Sequence, residues 1–377
     1  MNRRDPSRPD GPLRYEALDG LRGAAALLVV LYHVHWASHV RDLTVVRNGY
    51  LAVDLFFILS GFVISAAYGS RLGTGVSTSA FLRLRFFRVY PVHIAVLGAM
   101  LLLETFKLVA AGYSGRVPDQ PPFSGTQSPG ALLVNLLLAQ PWGILDYLGW
   151  NGPSWSIGAE FAAYIAFAAL ASLGLASSRG VLLPGMLIGL AAYVALAFWA
   201  GSLDVTYSFG VLRCLAGFVL GMVVFSLPAS RGTGPAFQLA AGILVMALLM
   251  WVTGPVSVLA IPAFMALIHS LRTDAGPLAR LLRNRTSQYL GLISYSVYMV
   301  HFPLSSVVLS VLKRSPDRFG NPWAGDTVTL GYVGATLILA HLSFRVVEEP
   351  FRQLGYRLVR SRTHAGQSHA AQKSAST

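Results

Sequence analysis

What most constrains this chain is a recurring pattern. About ten apolar runs, each roughly 20 residues long, are separated by short polar segments that carry most of its arginines. A helix of that length matches the ~30 Å hydrocarbon core of a bilayer. In lipid every backbone N–H and C=O must be satisfied inside the protein, so runs of this kind specify a helical bundle. Charge content agrees: 12% of the 377 residues are charged, against about 25% in an average soluble domain. Mean hydropathy is +0.57. The expected fold is all-α, a polytopic membrane helical bundle of about ten transmembrane helices, integral to a bacterial plasma (inner) membrane.

The expected spans are 17–38, 49–68, 89–111, 155–174, 181–200, 207–225, 237–252, 256–271, 289–312 and 328–346. The apolar stretch 131–139 is too short to cross and is followed by Gln140 and Pro141, so it is expected to be re-entrant or interfacial. With the N-terminus inside, the internal segments hold Arg71, Arg83, Arg85, Arg88, Arg179, Arg231, Arg272, Arg280, Arg283 and Arg285, and the tail holds Arg352, Arg357, Arg360 and Arg362. The external segments hold only Arg41, Arg47, Arg116, Lys313, Arg314 and Arg318. That asymmetry places both termini in the cytoplasm. The domain division expected is a basic tail over 1–16, a membrane domain over 17–352 and a polar, disordered tail over 353–377. The first run follows a charged segment without a clear small-residue cleavage site, so it is expected to stay attached.

Net charge of +13 does not point to nucleic acid, because the arginines sit between apolar runs as topology signals. The single cysteine, Cys214, lies within an apolar run, which gives neither a disulfide framework nor a metal cluster. Nucleophile-elbow, Walker and His-Glu-x-x-His patterns are lacking. The ionisable residues inside spans are few and include His33, His35, Asp54, Glu104, Glu160, Arg213 and His301, with Glu348 and Glu349 at the last span's end. Such residues are costly in a membrane and mark function by default.

The segment DGLRGAAALLVVLYHVH, Asp19 to His35, holds Arg22 and His33 eleven residues apart. On a continuous helix the two share a face and lie roughly 16 Å apart, while His35 points about 200° away from His33. A neutral imidazole without a nearby serine or cysteine nucleophile suits general-base work on an incoming hydroxyl. A histidine satisfied by a carbonyl inside the bundle is the competing reading. In FLRLRFFRVYP, Phe81 to Pro91, Arg85 and Arg88 are neighbours on one helical face. Their planar forks suit phosphates, although a plain positive-inside anchor has the same composition.

Taken in order, these segments resemble the membrane acyltransferase-3 family. The resemblance is carried by LDGLRG with Arg22 and His33, by GYLAVDLFFILSGFVIS (Gly49 to Ser65) with Asp54, and by Arg85 and Arg88. It continues through GPSWSIGAEF (Gly152 to Phe161), ISYSVYMVHFPL (Ile293 to Leu304) and FRVVEEPFR (Phe344 to Arg352). Where relatives commonly have two adjacent acidic residues after the Trp-Ser element, this chain has Ala159 and a single Glu160. Some relatives append a soluble esterase-like domain, and none is expected after the last span here.

The resemblance implies an integral-membrane O-acyltransferase that moves an acyl group, acetyl being the commonest, from acyl-coenzyme A to a hydroxyl. The implied acceptor is a glycan, lipid-linked sugar or macrolide-like molecule, and no cofactor is permanently bound. Arg22, Arg85 and Arg88 would meet the donor phosphates. His33 would act as general base, Asp54 would orient its imidazole, and Glu348 would be catalytic or a structural lock. Trp155, Glu160, Tyr298 and His301 would line the substrate site. A transporter or flippase using His33 and Asp54 as a proton relay is the reading from a different class.

Overall fold

The computed structural model describes residues 14–69, 71–72, 76–114, 120–229, 232–314 and 320–360. The tail residues 1–13 and 361–377, with Arg362, and also Arg116, Arg231 and Arg318 lie outside the described residues. Ten helices of twelve residues or more account for most of the described chain. They are α1 (Glu16–Tyr32), α2 (Ala52–Tyr68), α3 (Thr78–Ser114), α4 (Trp155–Ser172), α5 (Arg179–Ala200), α6 (Gly210–Ser226), α7 (Pro235–Trp251), α8 (Ala260–Leu271), α9 (Arg285–Leu312) and α10 (Pro322–Ser343). The protein is an all-α, multi-pass membrane bundle. Among the described residues, seven helical segments are long and apolar enough to cross a bilayer, and α6 and α7 are shorter apolar helices.

Local sequence explains the helix ends. Asn284 caps α9 by accepting the Ser287 N–H, and Asn321 caps α10 ahead of Pro322. The two-turn helix Pro129–Leu136 starts at Ser128, whose Oγ accepts the Ala131 N–H. At eight residues it is too short to span. Its end is held by buried side chains: Gln140 Nε2 donates to Asn135 Oδ1 and to Ser154 Oγ, each at 2.9 Å.

Close helix contacts are made where glycine removes a side chain. A Cβ on Gly221 of α6 would lie 2.0 Å from Ile58 O of α2, and one on Gly291 of α9 would lie 2.2 Å from Asp19 O of α1. Without a hydrophobic drive between helices in lipid, such backbone approach supplies the packing. The α2–α6 and α1–α9 pairs are the most extensively packed in the bundle.

Three expectations need correction. The first helix ends at Tyr32 instead of continuing to residue 38. Beyond it, Trp36 turns inward and its indole N–H donates to Gly325 O at 3.1 Å and Thr329 Oγ1 at 3.0 Å, which draws the chain off the helix axis. The arginine-rich segment before residue 89 is helical from Thr78, as the start of the 37-residue α3. The C-terminal segment is helical through Arg360, past the boundary at 352. There α10 widens into a π turn, Phe344–Glu348. Pro350 lacks an N–H and its ring crowds the carbonyl four residues earlier, which accounts for the widening.

Candidate functional site

A cavity of about 680 Å³ runs into the bundle between α1, α2, α3, α4 and α9, within the usual 300–1,000 Å³ range of small-molecule sites. Arg22, Arg85, Arg88, Glu160 and Tyr298 all line it. Its mouth includes Arg14, Gln288, Glu349, Arg352 and Tyr356, at the end of the bundle where α1 and α9 begin.

Each arginine is held differently. Arg22 donates from Nε to Ser294 Oγ and from Nη2 to Gly291 O, each at 3.0 Å, and pairs with Asp19 at 3.3 Å. The start of α1 that carries it is fixed from a distance by Asp274, which accepts the Ala17 N–H at 2.7 Å and the Glu16 N–H at 3.2 Å. Burial raises the Asp274 carboxyl above its ordinary value, against the two N–H donors that hold it down. Arg88 lies 3.9 Å from Glu348. Arg85 is seated among aromatic rings, its guanidinium carbon 5.4 Å from the Tyr68 centroid and 5.9 Å from those of Phe81 and Tyr164. Among the described residues its buried Nε has no hydrogen-bond partner. Its Nη2 donates to Tyr68 OH at 3.3 Å, and a guanidinium charge in a cavity wall suits an anionic ligand.

At the inner end, Tyr298 shares a hydrogen bond of 2.8 Å with Ser156 and donates to Pro153 O at 3.0 Å. Glu160 accepts from Ser60 Oγ and, at 2.6 Å, from Tyr164 OH. One turn beyond Tyr298 on α9 is His301, with ring centroids 5.7 Å apart. His301 Nε2 in turn lies 3.3 Å from His33 Nδ1. His33 Nδ1 also contacts Val29 O at 2.9 Å. A carbonyl oxygen only accepts, so the Nδ1 carries the proton and Nε2 is the basic nitrogen. His301 Nε2 accepts the second branch of the same N–H.

Several expected roles move. Asp54 does not orient His33: its two oxygens take Arg213 Nε and Nη2, each at 2.7 Å, in a fully buried fork. A guanidinium inside a span requires a carboxylate, and Asp54 supplies it. Trp155 is not on the cavity wall; it is buried against Phe57 with Arg213 Cζ 5.6 Å from its ring. Glu348 joins the arginine cluster, taking Ser296 Oγ at 2.7 Å, and makes no contact with His33. His301 faces His33 and does not line the cavity. His35 comes back beside His33, centroids 5.9 Å apart, because the helix that would have separated them has ended.

Sequence reasoning gave no role to Arg213, Arg352, Asp204 or Tyr32. The signal for Arg213 was available, since a lone arginine in an apolar run has few acidic residues to choose from. Arg352 forms an ion pair with Glu349 at the cavity mouth.

A family model described as an acyltransferase domain matches residues 15–344. The chain belongs to the acyltransferase-3 family. It is 33% identical over 171 residues to acyltransferase MdmB of Streptomyces mycarofaciens, covering 42% of this chain and 40% of that protein. It is 23% identical over 380 residues to the peptidoglycan O-acetyltransferase OatA of Listeria monocytogenes, covering 90% of this chain and 56% of OatA. Protein 2 in the picA locus of Rhizobium radiobacter is 47% identical over 90 residues, 24% of this chain and 45% of that protein. The chain thus spans about half the length, or less, of these relatives. No solved structure shows a significant match.

Proposed function

We propose that this protein is an O-acyltransferase of the bacterial plasma membrane that moves an acyl group, acetyl in the simplest case, from acyl-coenzyme A to an acceptor hydroxyl. The observation that carries the reading is the continuity of the site: an arginine-lined cavity ends at Tyr298, one ring contact from the His301–His33 pair. With both termini cytoplasmic, the orientation that the arginine distribution favours, the cavity mouth faces the side where acyl-coenzyme A is found. Arg85 and Arg88, with Arg22 behind them, meet the donor's phosphates, and its narrow arm extends along the cavity towards Tyr298.

The chemistry then follows from the tautomer of His33. Nε2 takes the proton of the acceptor hydroxyl as its oxygen attacks the thioester carbonyl. The carbon–sulfur bond breaks, and the departing thiolate recovers that proton from the imidazolium. Val29 O and His301 hold Nδ1–H in place through both steps, the orienting task that a carboxylate performs in a catalytic triad. Family membership supports acyl transfer, and OatA, by its name, acts on peptidoglycan. For this chain the acceptor is proposed as a hydroxyl-bearing glycan, lipid-linked sugar or macrolide-like molecule.

Purified protein in sealed liposomes tests the reading. Acyl-coenzyme A consumption with acylated acceptor as product is expected. Proton-coupled uptake of the acceptor without thioester loss would replace the enzyme by a carrier.

A further inference from the structure

The groups around His33 on the side away from the cavity have no part in the steps above. Tyr32 sets its ring 5.0 Å from that of His33, and its hydroxyl donates to Asp204 Oδ2 at 2.8 Å. The Tyr50 ring lies 6.1 Å from Tyr32 and the Phe302 ring 5.5 Å from His33. Asp204 is exposed.

The loop that carries Asp204, between α5 and α6, is firmly seated. Leu203 and Val205 on either side are buried, and Val205 O accepts from Arg213 Nη1 at 2.9 Å. A second arm of the same guanidinium reaches Tyr50 O at 3.2 Å. The buried Asp54–Arg213 fork therefore braces the loop that holds an exposed carboxylate and the backbone of Tyr50, both beside Tyr32, whose ring packs on His33. This gives the strut a consequence at the surface that its burial alone does not. A carboxylate offers about four lone-pair sites, and Tyr32 occupies one.

We propose that Asp204 and Tyr32 anchor the acceptor. The carboxylate accepts a hydrogen bond from a hydroxyl adjacent to the one that is acylated, while the Tyr32 and Tyr50 rings flank the carbon skeleton of a polyhydroxylated ring. The proposal rests on the acyl-transfer reading, because it delivers the reactive hydroxyl to His33 Nε2. A monohydric alcohol engages His33 alone, whereas a sugar engages both groups, so Asp204 sets the preference between them.

The test uses the full chain in nanodiscs with acetyl-coenzyme A and two acceptors, a mixed gluco-, N-acetylgluco- and galacto-oligosaccharide panel and benzyl alcohol. Asp204→Asn is expected to lower the ratio of kcat/KM for oligosaccharide over benzyl alcohol by at least about tenfold, chiefly through KM. Tyr32→Phe keeps the ring, guards against misfolding of the first variant, and is expected to lower the same ratio. An unchanged ratio in both variants, or an equal loss for both acceptors, overturns the anchor. If the wild type consumes no acetyl-coenzyme A, the acyl-transfer reading has failed, and calorimetric binding of the oligosaccharide panel decides the anchor separately. Weaker binding to Asp204→Asn than to wild type then supports it. Equal binding, or no binding to wild type, overturns it.

Discussion

Replacing Arg213 by methionine strips Asp54 of both its 2.7 Å donors and leaves a carboxylate with no exposed surface. Breaking a buried pair from one side costs about 3–5 kcal/mol, or roughly two to four orders of magnitude in the folding equilibrium. Removing the carboxylate as well, in Asp54→Leu/Arg213→Met, takes the unpaired charge away. It does not restore donors to Val205 O and Tyr50 O, which Arg213 also serves. The double variant should therefore be more stable than Arg213→Met by about 1–3 kcal/mol, yet remain below wild type. Thermal unfolding in detergent, followed by tryptophan fluorescence and closed as a double-mutant cycle, measures that coupling. Strictly additive effects would refute the assignment of Asp54 to Arg213. Loss of turnover in Asp54→Asn at unchanged stability would return Asp54 to the catalytic machinery.

Three further outcomes follow from the site. Arg85→Ala/Arg88→Ala should raise the KM for acyl-coenzyme A by at least about tenfold, since each charged hydrogen bond is worth about 1.5–3 kcal/mol; an unchanged donor dependence would leave these residues as topology anchors. His301→Phe preserves ring volume but removes the acceptor at 3.3 Å from His33. It should lower kcat more than KM and alter the pH–rate profile, whereas a pure KM effect would make His301 an acceptor-site residue. Gly221→Val places side-chain atoms where a Cβ alone would lie 2.0 Å from Ile58 O. It should reduce the yield of folded protein sharply, and wild-type yield and melting behaviour would contradict the close α2–α6 contact.

The apolar runs made the bundle legible, because helix length against bilayer thickness is a local property of the chain. The helix ends were less so. The stop at Tyr32 depends on Trp36 reaching Gly325 and Thr329, nearly three hundred residues away, and no local signal encodes it. The role of Asp54 was misread for a related reason. The family resemblance implied that Asp54 orients His33, while Arg213, 159 residues later, had the stronger electrostatic claim. Arg22, Arg85, Arg88, Glu160 and Tyr298 were named from sequence and do share one cavity. His301 was named too, but its contact with His33 required the parallel packing of α1 on α9 through Gly291. Ion pairing and helix register are long-range choices, which is why single residues were found before their partners.

The central claim is that His33 is the base of acyl transfer. The most direct measurement is single-turnover transfer from acetyl-coenzyme A by wild type and His33→Gln in proteoliposomes, with donor affinity measured on the same samples. The rate of the variant is expected to fall by about 10²–10⁴-fold with donor Kd unchanged, because His33 lies beyond the arginine-lined cavity. Near-wild-type transfer by a normally inserted His33→Gln protein would contradict it.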